Sequence, residues 1–454
     1  MIKPLEFNKI SKVKLFILLK IYNLSLKSSR ENYFYITIIS FRLCFIIAPY
    51  WDDLWLHYLQ FLYRNKLYKK ATSLYKNSIS LSPNFSTIHK LGEFISQKGS
   101  LNDSFHKEFI SLIPDIELRS MLICLSDSKT LYHPSKFWLY HLVLNIIQIE
   151  HNGIANFKRS VNKNYFGWSH HSDIRSQIET INKKFSCDTS LILQEINKDI
   201  LELNQMSEDL TDEGWKDYIT LIILLYSFAK SQDTEAFFQN VKESPLGNPI
   251  WIPIEGLNVS QDLPNTIFEI NTFAKHLTFK EKENLNVIEL GAGHGRVGQL
   301  MLQKYNNMKY TIVDIPPALF ISQWYLTNSF EGKKVFKFRD FSSWDSIKDE
   351  FESADIRFLL PHQIEMMPDK YFNLFVNISS MGEMIEEQIM NWFHHIDRCT
   401  RGIFFLKQYS SLSNSFDSTM ISKEDYPSAT NWRVLLDRIN PLFSSFFETI
   451  YRID

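Results

Sequence analysis

The sequence predicts two kinds of structure in one chain, an all-helical amino-terminal part followed by a mainly parallel, doubly wound α/β sheet. Apolar residues recur with helical spacing up to about residue 245. From about residue 286, short strand-like runs alternate with helical segments, and a last strand, entered from the long segment 409–445, is expected to be antiparallel. A proline- and glycine-rich linker, 244–249, separates the two patterns. We expect boundaries near residues 115 and 245, which gives helical repeats at 1–115, a helical region at 116–245 and an α/β domain at 246–454.

The first hundred residues carry a repeat-like pattern. Pro49 and Pro83 are 34 residues apart, which is the tetratricopeptide period. Between them, two amphipathic segments flank a turn, and the small Ala71 lies where two such helices approach most closely. Residues 52–84 therefore resemble a tetratricopeptide repeat. The neighbouring units are degenerate, and they would span residues 18–50 and 85–115. The alternative is a helical hairpin with accidental spacing. Either structure is more typical of protein binding than of chemistry.

Composition excludes several classes of function. The 49 basic and 51 acidic residues nearly cancel, so nucleic acid or an anionic membrane is not expected as a main partner. The four cysteines are far apart and form no C-x-x-C pair, which argues against a disulfide framework or a zinc site. The start of the chain has no signal-peptide pattern, and the apolar windows are interrupted or short. We expect a soluble cytoplasmic protein without a membrane span.

The segment VIELGAGHGR, residues 287–296, carries the clearest chemical motif. It reads as a strand, a glycine-rich turn and the start of a helix, and the next apolar run ends on Asp314. Glycines let backbone N–H groups approach a ligand, and here they are Gly291, Gly293 and Gly295. Asp314 can accept both hydroxyls of a ribose. Glu289 can meet a cationic amino group, which favours S-adenosylmethionine over a dinucleotide carrying a pyrophosphate.

Two other interpretations of this motif remain open. Residues 293–298 also satisfy G-x-G-x-x-G, and Asp314 follows Gly293 by 21 positions, so a dinucleotide fits the spacing. A tight strand-to-helix turn without any ligand is the third interpretation.

Several stretches of the carboxyl-terminal part together resemble the bacterial sugar O-methyltransferases. They are VSQDL at 259–263, IELGAGHGR at 288–296, IVDIPPAL at 312–319, LPHQ at 360–363, NISSMGEM at 377–384, DYP at 425–427 and Trp432. The resemblance covers about residues 246–452. It implies a Rossmann-like class I methyltransferase domain, S-adenosylmethionine as cofactor, and a sugar or glycan as acceptor.

The resemblance also implies roles for individual residues. Glu289 and the three glycines would hold the methionine end of the donor, and Asp314 its ribose. The loop with His362 and Gln363 would flank adenine. Glu383 is our first candidate for the catalytic carboxylate that accepts the acceptor's proton, and His362 is the second. Glu383 could instead be an acid favoured at a helix N-terminus, and His362 an ordinary loop histidine. No compact acidic cluster calls for a metal.

Three functional hypotheses follow. The first is S-adenosylmethionine-dependent methylation of a sugar hydroxyl, for example on a surface polysaccharide or a glycan precursor, with the helical part recruiting a protein partner or a glycan. The second is a tetratricopeptide-type scaffold whose methyltransferase-like domain is inactive. The third is an NAD-dependent oxidoreductase.

Overall fold

The computed structural model describes residues 20–27, 34–47, 52–81, 99–161, 174–185, 212–427 and 431–454. The chain forms two compact units, one comprising Met1–Arg119 with Lys136–Ile147 and the other Ser120–Ser135 with Gln148–Asp454. The boundaries at residues 115 and 245 stay a prediction. Within the described ranges, no helix combines the length and the apolar character needed to cross a bilayer.

The first unit is helical throughout its described residues. Its helices are α1 (Phe34–Ile47), α2 (Asp52–Arg64), α3 (Tyr68–Leu81) and α4 (Ser104–Ser111). Helices α2 and α3 pack together across a short turn, with Ala71 fully buried, as the sequence predicts. Parts of both predicted neighbouring units lie outside the described residues. The hairpin is therefore observed, and the tetratricopeptide repeat stays a prediction.

Helices also precede the sheet in the second unit. The chain forms α5 (Ile116–Ser126), α6 (Lys136–Asn152), α7 (Phe157–Ser160), α8 (Ile174–Phe185), α9 (Asp212–Ser231) and α10 (Phe237–Asn240), with 3₁₀ turns at Thr130–Tyr132 and Ile154–Asn156. Both α5 and α6 contain residues of each unit. Helix α9 packs against α8 and against α11 (Asp262–Ala274), the helix that leads into the sheet.

The sheet has eight strands, all in the second unit. They are β3 (Asn286–Leu290), β4 (Lys309–Val313), β5 (Val335–Phe336), β6 (Ile356–Leu359), β7 (Phe372–Ile378), β8 (Thr400–Tyr409), β11 (Arg433–Ile439) and β12 (Phe446–Ile453). Two hairpins lie outside it, β1 (Ile252–Ile254) with β2 (Leu257–Val259), and β9 (Ser411–Asn414) with β10 (Thr419–Ser422). The helices among these strands are α12 (Phe279–Glu283), α13 (Arg296–Lys304), α14 (Ala318–Ser329), α15 (Lys348–Ser353) and α16 (Glu386–Cys399), with 3₁₀ turns at Pro361–Met366, Met381–Glu383 and Lys423–Asp425.

The strand order is β11-β12-β8-β7-β3-β4-β6-β5. Neighbours from β8 to β5 are parallel, whereas β12 runs antiparallel to both β8 and β11. This is a methyltransferase-like α/β fold, and the antiparallel last strand confirms the prediction. The chain places β4 on one side of β3 and later β7 on the other, so the strand order reverses at β3. Open α/β sheets bind ligands in the crevice at such a switch point, beside the carboxyl ends of the strands.

The strands between residues 409 and 445 were missed in the sequence. The region 409–445 was expected to be a long connection, yet it contains the hairpin β9–β10 and the edge strand β11. Strand β11 has no fully buried residue. Because an edge strand needs little apolar surface, its sequence lacks the apolar run used to predict strands.

Candidate functional site

The glycine-rich loop after β3 touches the loop after β7. Gly291 has a φ of +70°, and a Cβ on it would lie 2.3 Å from both Cβ and Oγ of Ser380. Ser380 is held in place by Asn377, whose Nδ2 donates to its Oγ over 2.5 Å. Gly291 is thus required by contact between two loops, a reason that differs from the predicted close approach to a ligand.

The N–H groups of the three glycines all have partners inside the protein. Gly291 donates to the Val313 carbonyl over 2.8 Å, and Gly295 to that of Ala292 over 2.9 Å. Gly293 donates to Asp314 Oδ2, also over 2.9 Å. The glycines give the loop its shape, since all three have positive φ. The predicted cradle of glycine N–H groups is not available in this arrangement.

Asp314 lies where predicted, at the end of β4 and beside the glycine-rich loop. Its Oδ2 accepts from Gly293, and its Oδ1 accepts from the backbone N–H of Ile315 over 2.7 Å. Burial raises the pKa of its carboxyl to about 7, although the two N–H donors act in the opposite direction. Each carboxylate oxygen can accept a further hydrogen bond, so the side chain can still receive ribose hydroxyls.

Glu289 is buried beneath the same loop. The hydroxyl of Tyr310 donates to its Oε2 over 2.7 Å. Burial raises the pKa of Glu289 to about 8, so much of it is protonated at neutral pH. Its expected contact with a ligand's amino group stays a prediction, because the observed partner is Tyr310.

The loop after β6 differs from the expectation for an adenine contact. Gln363 accepts from the Leu360 N–H over 2.9 Å and donates to the Arg339 carbonyl over 2.8 Å. With both polar ends engaged and no exposed surface, Gln363 fastens the loop instead of facing a ligand. His362 Nε2 lies 3.6 Å from Cys124 Sγ. Burial lowers the pKa of His362, which favours a neutral ring.

Glu383 ends the short turn Met381–Glu383 and is 8% exposed. Helix α16 begins only at Glu386, so Glu383 lies outside the helix's first turn, and the alternative of a helix-terminal acid loses support. Burial is the main cause that raises the pKa values of Tyr409 and Tyr426, and the charge of Glu383 is the second cause. The carboxylate is therefore close to both phenols.

A cavity of about 330 Å³ opens at the switch point. Its walls come from the start of α11, the first residue of α13, the carboxyl ends of β7 and β8, and residues 442–446; lining side chains include Gln261, Asn265, Glu269, Arg296, Lys407 and Tyr409. The volume falls in the lower part of the range for small-molecule sites. Arg296 belongs to the glycine-rich segment. Neither Glu383 nor His362 is among the described lining residues, although Tyr409 links Glu383 to the cavity.

One wall of the cavity is a buried ion-pair network. Glu269 is 2% exposed and bridges two cations, Arg296 at 2.5 Å and Lys407 at 2.7 Å. Burial opposes ionisation of Glu269, but the two cations more than offset it and lower the pKa of the carboxyl. Beside it, Asp262 lies 3.1 Å from the buried ammonium of Lys158. Charges with such partners are held rigidly.

Two side chains of the same wall each carry a hydrogen-bond acceptor that has no donor among the described residues. They are Oε1 of Gln261 and Oδ1 of Asn265, on side chains only 3% and 8% exposed. A buried acceptor without a partner is costly, so it marks a place where a donor from a ligand is expected. The cavity is suited to a ligand with hydroxyl or ammonium groups.

Sequence reasoning assigned no role to the residues of α11 that line this cavity. All 13 residues of the helix are buried. Asp262, Asn265 and Glu269 share one face through i, i+3 and i+7 spacing. A stripe of three polar side chains on a helix shortly before the glycine-rich strand is the signal that could have found them.

Comparisons with known proteins place the chain among α/β folds of this type. No protein-family model matches the sequence, and no curated protein matches it either. Among solved structures, one from Galdieria sulphuraria, provisionally assigned as a sarcosine dimethylglycine methyltransferase, is 9% identical and has a TM-score of 0.31, covering 50% of this chain and 96% of its own. A SAM-dependent methyltransferase from Aquifex aeolicus is 10% identical with a TM-score of 0.26, covering 41% and 89%. The [4+2]-cyclase SpnF is 12% identical with a TM-score of 0.27, covering 43% and 81%. Similarity at this level does not distinguish a methyl-transfer enzyme from another user of the fold.

We expect Gly291→Ala to destabilise the protein. A left-handed backbone costs alanine about 1–2 kcal/mol, and overpacking against Ser380 adds roughly 1–3 kcal/mol. Urea denaturation measures the loss. Gly332→Ala is the matched control, because its φ is +91° and nothing lies within 4 Å of its Cβ position. Gly332→Ala should lose only the part of the free energy of unfolding that comes from the left-handed backbone.

A double-mutant cycle with Ser380→Gly separates the two contributions for Gly291. The loop contact predicts a favourable coupling free energy, since removing the Ser380 side chain makes room for the new methyl group. Additive effects of the two substitutions would contradict that contact.

Proposed function

We propose that the protein is an S-adenosylmethionine-dependent O-methyltransferase that acts on a sugar hydroxyl. The observation that carries the proposal is the polar cavity near the switch point, whose lining includes Gln261, Asn265 and Arg296 of the glycine-rich segment.

The charge around the glycine-rich loop supports a cationic donor over a dinucleotide. Glu289 interacts electrostatically with two further carboxylates, those of Asp314 and Glu269, and with one cation, Arg296. Arg296 is already paired with Glu269. A pyrophosphate would further oppose ionisation of Asp314 and Glu289, whereas a sulfonium and an ammonium would favour their ionised forms. Asp314 would hold the ribose, and Gln261 and Asn265 could accept from the ammonium or from acceptor hydroxyls.

The cavity also supports a polyhydroxylated acceptor. Its volume of about 330 Å³ suits a small ring better than a macromolecule. The unpartnered oxygens of Gln261 and Asn265 call for donors, and sugar hydroxyls supply them. The resemblance of the surrounding segments to sugar O-methyltransferases is what narrows the acceptor from a hydroxyl compound to a sugar.

When bound, S-adenosylmethionine supplies a methyl group on a sulfonium, which is transferred in line to a nucleophilic oxygen. The protein's part is to align the oxygen, and alignment can contribute about 7–11 kcal/mol in favourable cases. Glu383 is proposed to take the proton that the hydroxyl loses, and a general base contributes roughly 10²–10⁴-fold in rate. The buried ion-pair wall would keep the geometry fixed and water out.

Asp314→Ala should abolish donor binding in calorimetric titration with S-adenosylmethionine, because the ribose would lose its acceptor. Exposed Asp345 provides a matched control, and Asp345→Ala should bind the donor normally. Undiminished affinity in Asp314→Ala would refute the assigned role. Competition by S-adenosylhomocysteine should be seen in the unaltered protein.

Donor affinity should also depend on pH. Ribose hydroxyls prefer the ionised carboxylate, and the pKa of Asp314 is about 7 without ligand. Protonation therefore competes with binding below pH 7, and the dissociation constant should fall roughly ten-fold between pH 6 and pH 8. The dependence should persist in Glu289→Gln, which removes the other carboxyl with a raised pKa. A flat profile in the unaltered protein would contradict the assignment.

Glu383→Gln should spare donor binding and lower turnover by roughly 10²-fold or more, as expected for loss of a general base. Glu387→Gln, an exposed acid in the first turn of α16, serves as the control. An unchanged rate in Glu383→Gln would move the base elsewhere. Because substrate is unidentified, turnover is measured with labelled methyl donor and a glycan extract of the source cell, followed by mass spectrometry of the labelled product.

A further inference from the structure

A cysteine, an aspartate and a histidine meet outside the cavity, at the other side of the same sheet edge. Cys124 lies in the last turn of α5, Asp340 in the loop after β5, and His362 in the turn after β6. One ligand atom from each, namely Sγ, a carboxylate oxygen and an imidazole nitrogen, lies within 4.8 Å of the other two. The three residues are far apart in sequence, by 216 and 238 positions from Cys124.

Two distances within this group match those between ligands of a tetrahedral metal ion. Cys124 Sγ lies 3.5 Å from Asp340 Oδ1 and 3.6 Å from His362 Nε2. Zinc bonds of about 2.3 Å to sulfur and about 2.0–2.1 Å to nitrogen or oxygen, at tetrahedral angles, place a sulfur about 3.5–3.6 Å from a nitrogen or oxygen ligand.

The chemical types of the three metal-ligand atoms favour one class of cation. Thiolate and imidazole favour Zn²⁺ and its neighbours in the first transition row over Mg²⁺ and Ca²⁺, which prefer oxygen ligands. His362 Nε2, the nitrogen next to Cys124 Sγ, would coordinate the ion, and the ring proton would then lie on Nδ1. Asp340 is exposed, which leaves a route for the ion to enter.

The segment that carries Cys124 is already fastened to the sheet. Tyr132 donates to Glu365 Oε1 over 2.7 Å, and Lys129 donates to the same oxygen over 2.8 Å. Gln388 donates to the carbonyls of Leu131 and His133. These contacts pre-position the three ligand atoms, which reduces the ordering cost of binding an ion.

We propose that Cys124, Asp340 and His362 form a binding site for a Zn²⁺-class cation, with three protein ligands and a fourth position open to solvent. The bound ion would tie the end of α5 to the loops after β5 and β6. These loops lie at the sheet edge that holds Asp314, whose N–H donates to the Leu359 carbonyl at the end of β6 over 3.3 Å. The ion would thus stabilise the side of the sheet next to the proposed donor site.

Co²⁺ is the probe, because its absorption reports the ligands directly. Untagged full-length protein is stripped with a chelator and titrated with Co²⁺ in the absence of S-adenosylmethionine. We expect a thiolate-to-cobalt charge-transfer band that saturates at one equivalent and is abolished by added Zn²⁺. Zn²⁺ should also raise the melting temperature of the stripped protein.

Cys124→Ser should lose the charge-transfer band, whereas Cys399→Ala, which removes a buried thiol elsewhere, should keep it. His362→Gln gives an independent test in case Cys124→Ser does not fold, and it should weaken Co²⁺ binding while leaving the thiol in place. No band in the unaltered protein, or a band that survives in Cys124→Ser, would overturn the proposal. A failure of S-adenosylmethionine binding would not contradict the metal-site proposal, because the Co²⁺ titration is done without S-adenosylmethionine.

Discussion

The architecture of the candidate site depends on one buried carboxylate. Glu269 lies on α11 and is bridged by Arg296, the first residue of α13, and by Lys407 near the end of β8. A single side chain thus joins the helix before the sheet, the helix after the glycine-rich loop and a strand on the far side of the switch point. Removing it would take the carboxylate away from both Arg296 and Lys407, and breaking a buried pair in this way costs roughly 3–5 kcal/mol. The cavity exists because these three elements are held at fixed separations.

A second constraint acts at short range. The contact between Gly291 and Ser380 brings the loops after β3 and β7 together. The cavity of about 330 Å³ lies near these loops. Gln261 and Asn265 line it, and each keeps an acceptor oxygen that has no donor among the described residues. The proposed activity follows from that combination of rigid walls and unsatisfied acceptors.

Local patterns in the sequence predicted much of the fold. The apolar strands, the turn of the glycine-rich loop and the antiparallel last strand depend on residues that are close in the chain. The position of Asp314 was also predictable, because adjacent parallel strands end at the same edge of a sheet. Strand β11 was missed since an edge strand is selected by its pairing with β12, which periodicity does not report. Gln363 was expected to contact adenine, but its side chain donates to the Arg339 carbonyl, and no sequence pattern shows that hydrogen bond.

The sequence by itself determined which residues begin and end the strand–turn–helix unit, and which acid closes the next strand. Backbone propensity and side-chain periodicity act over a few residues, so these features can be predicted without a structure. Only the tertiary structure decided which distant side chains share a site. Lys407 reaches Glu269 across 138 positions, and His362 faces Cys124 across 238. Such pairs form when strand order and helix packing bring separate segments together, and that arrangement depends on the whole core, not on any one segment.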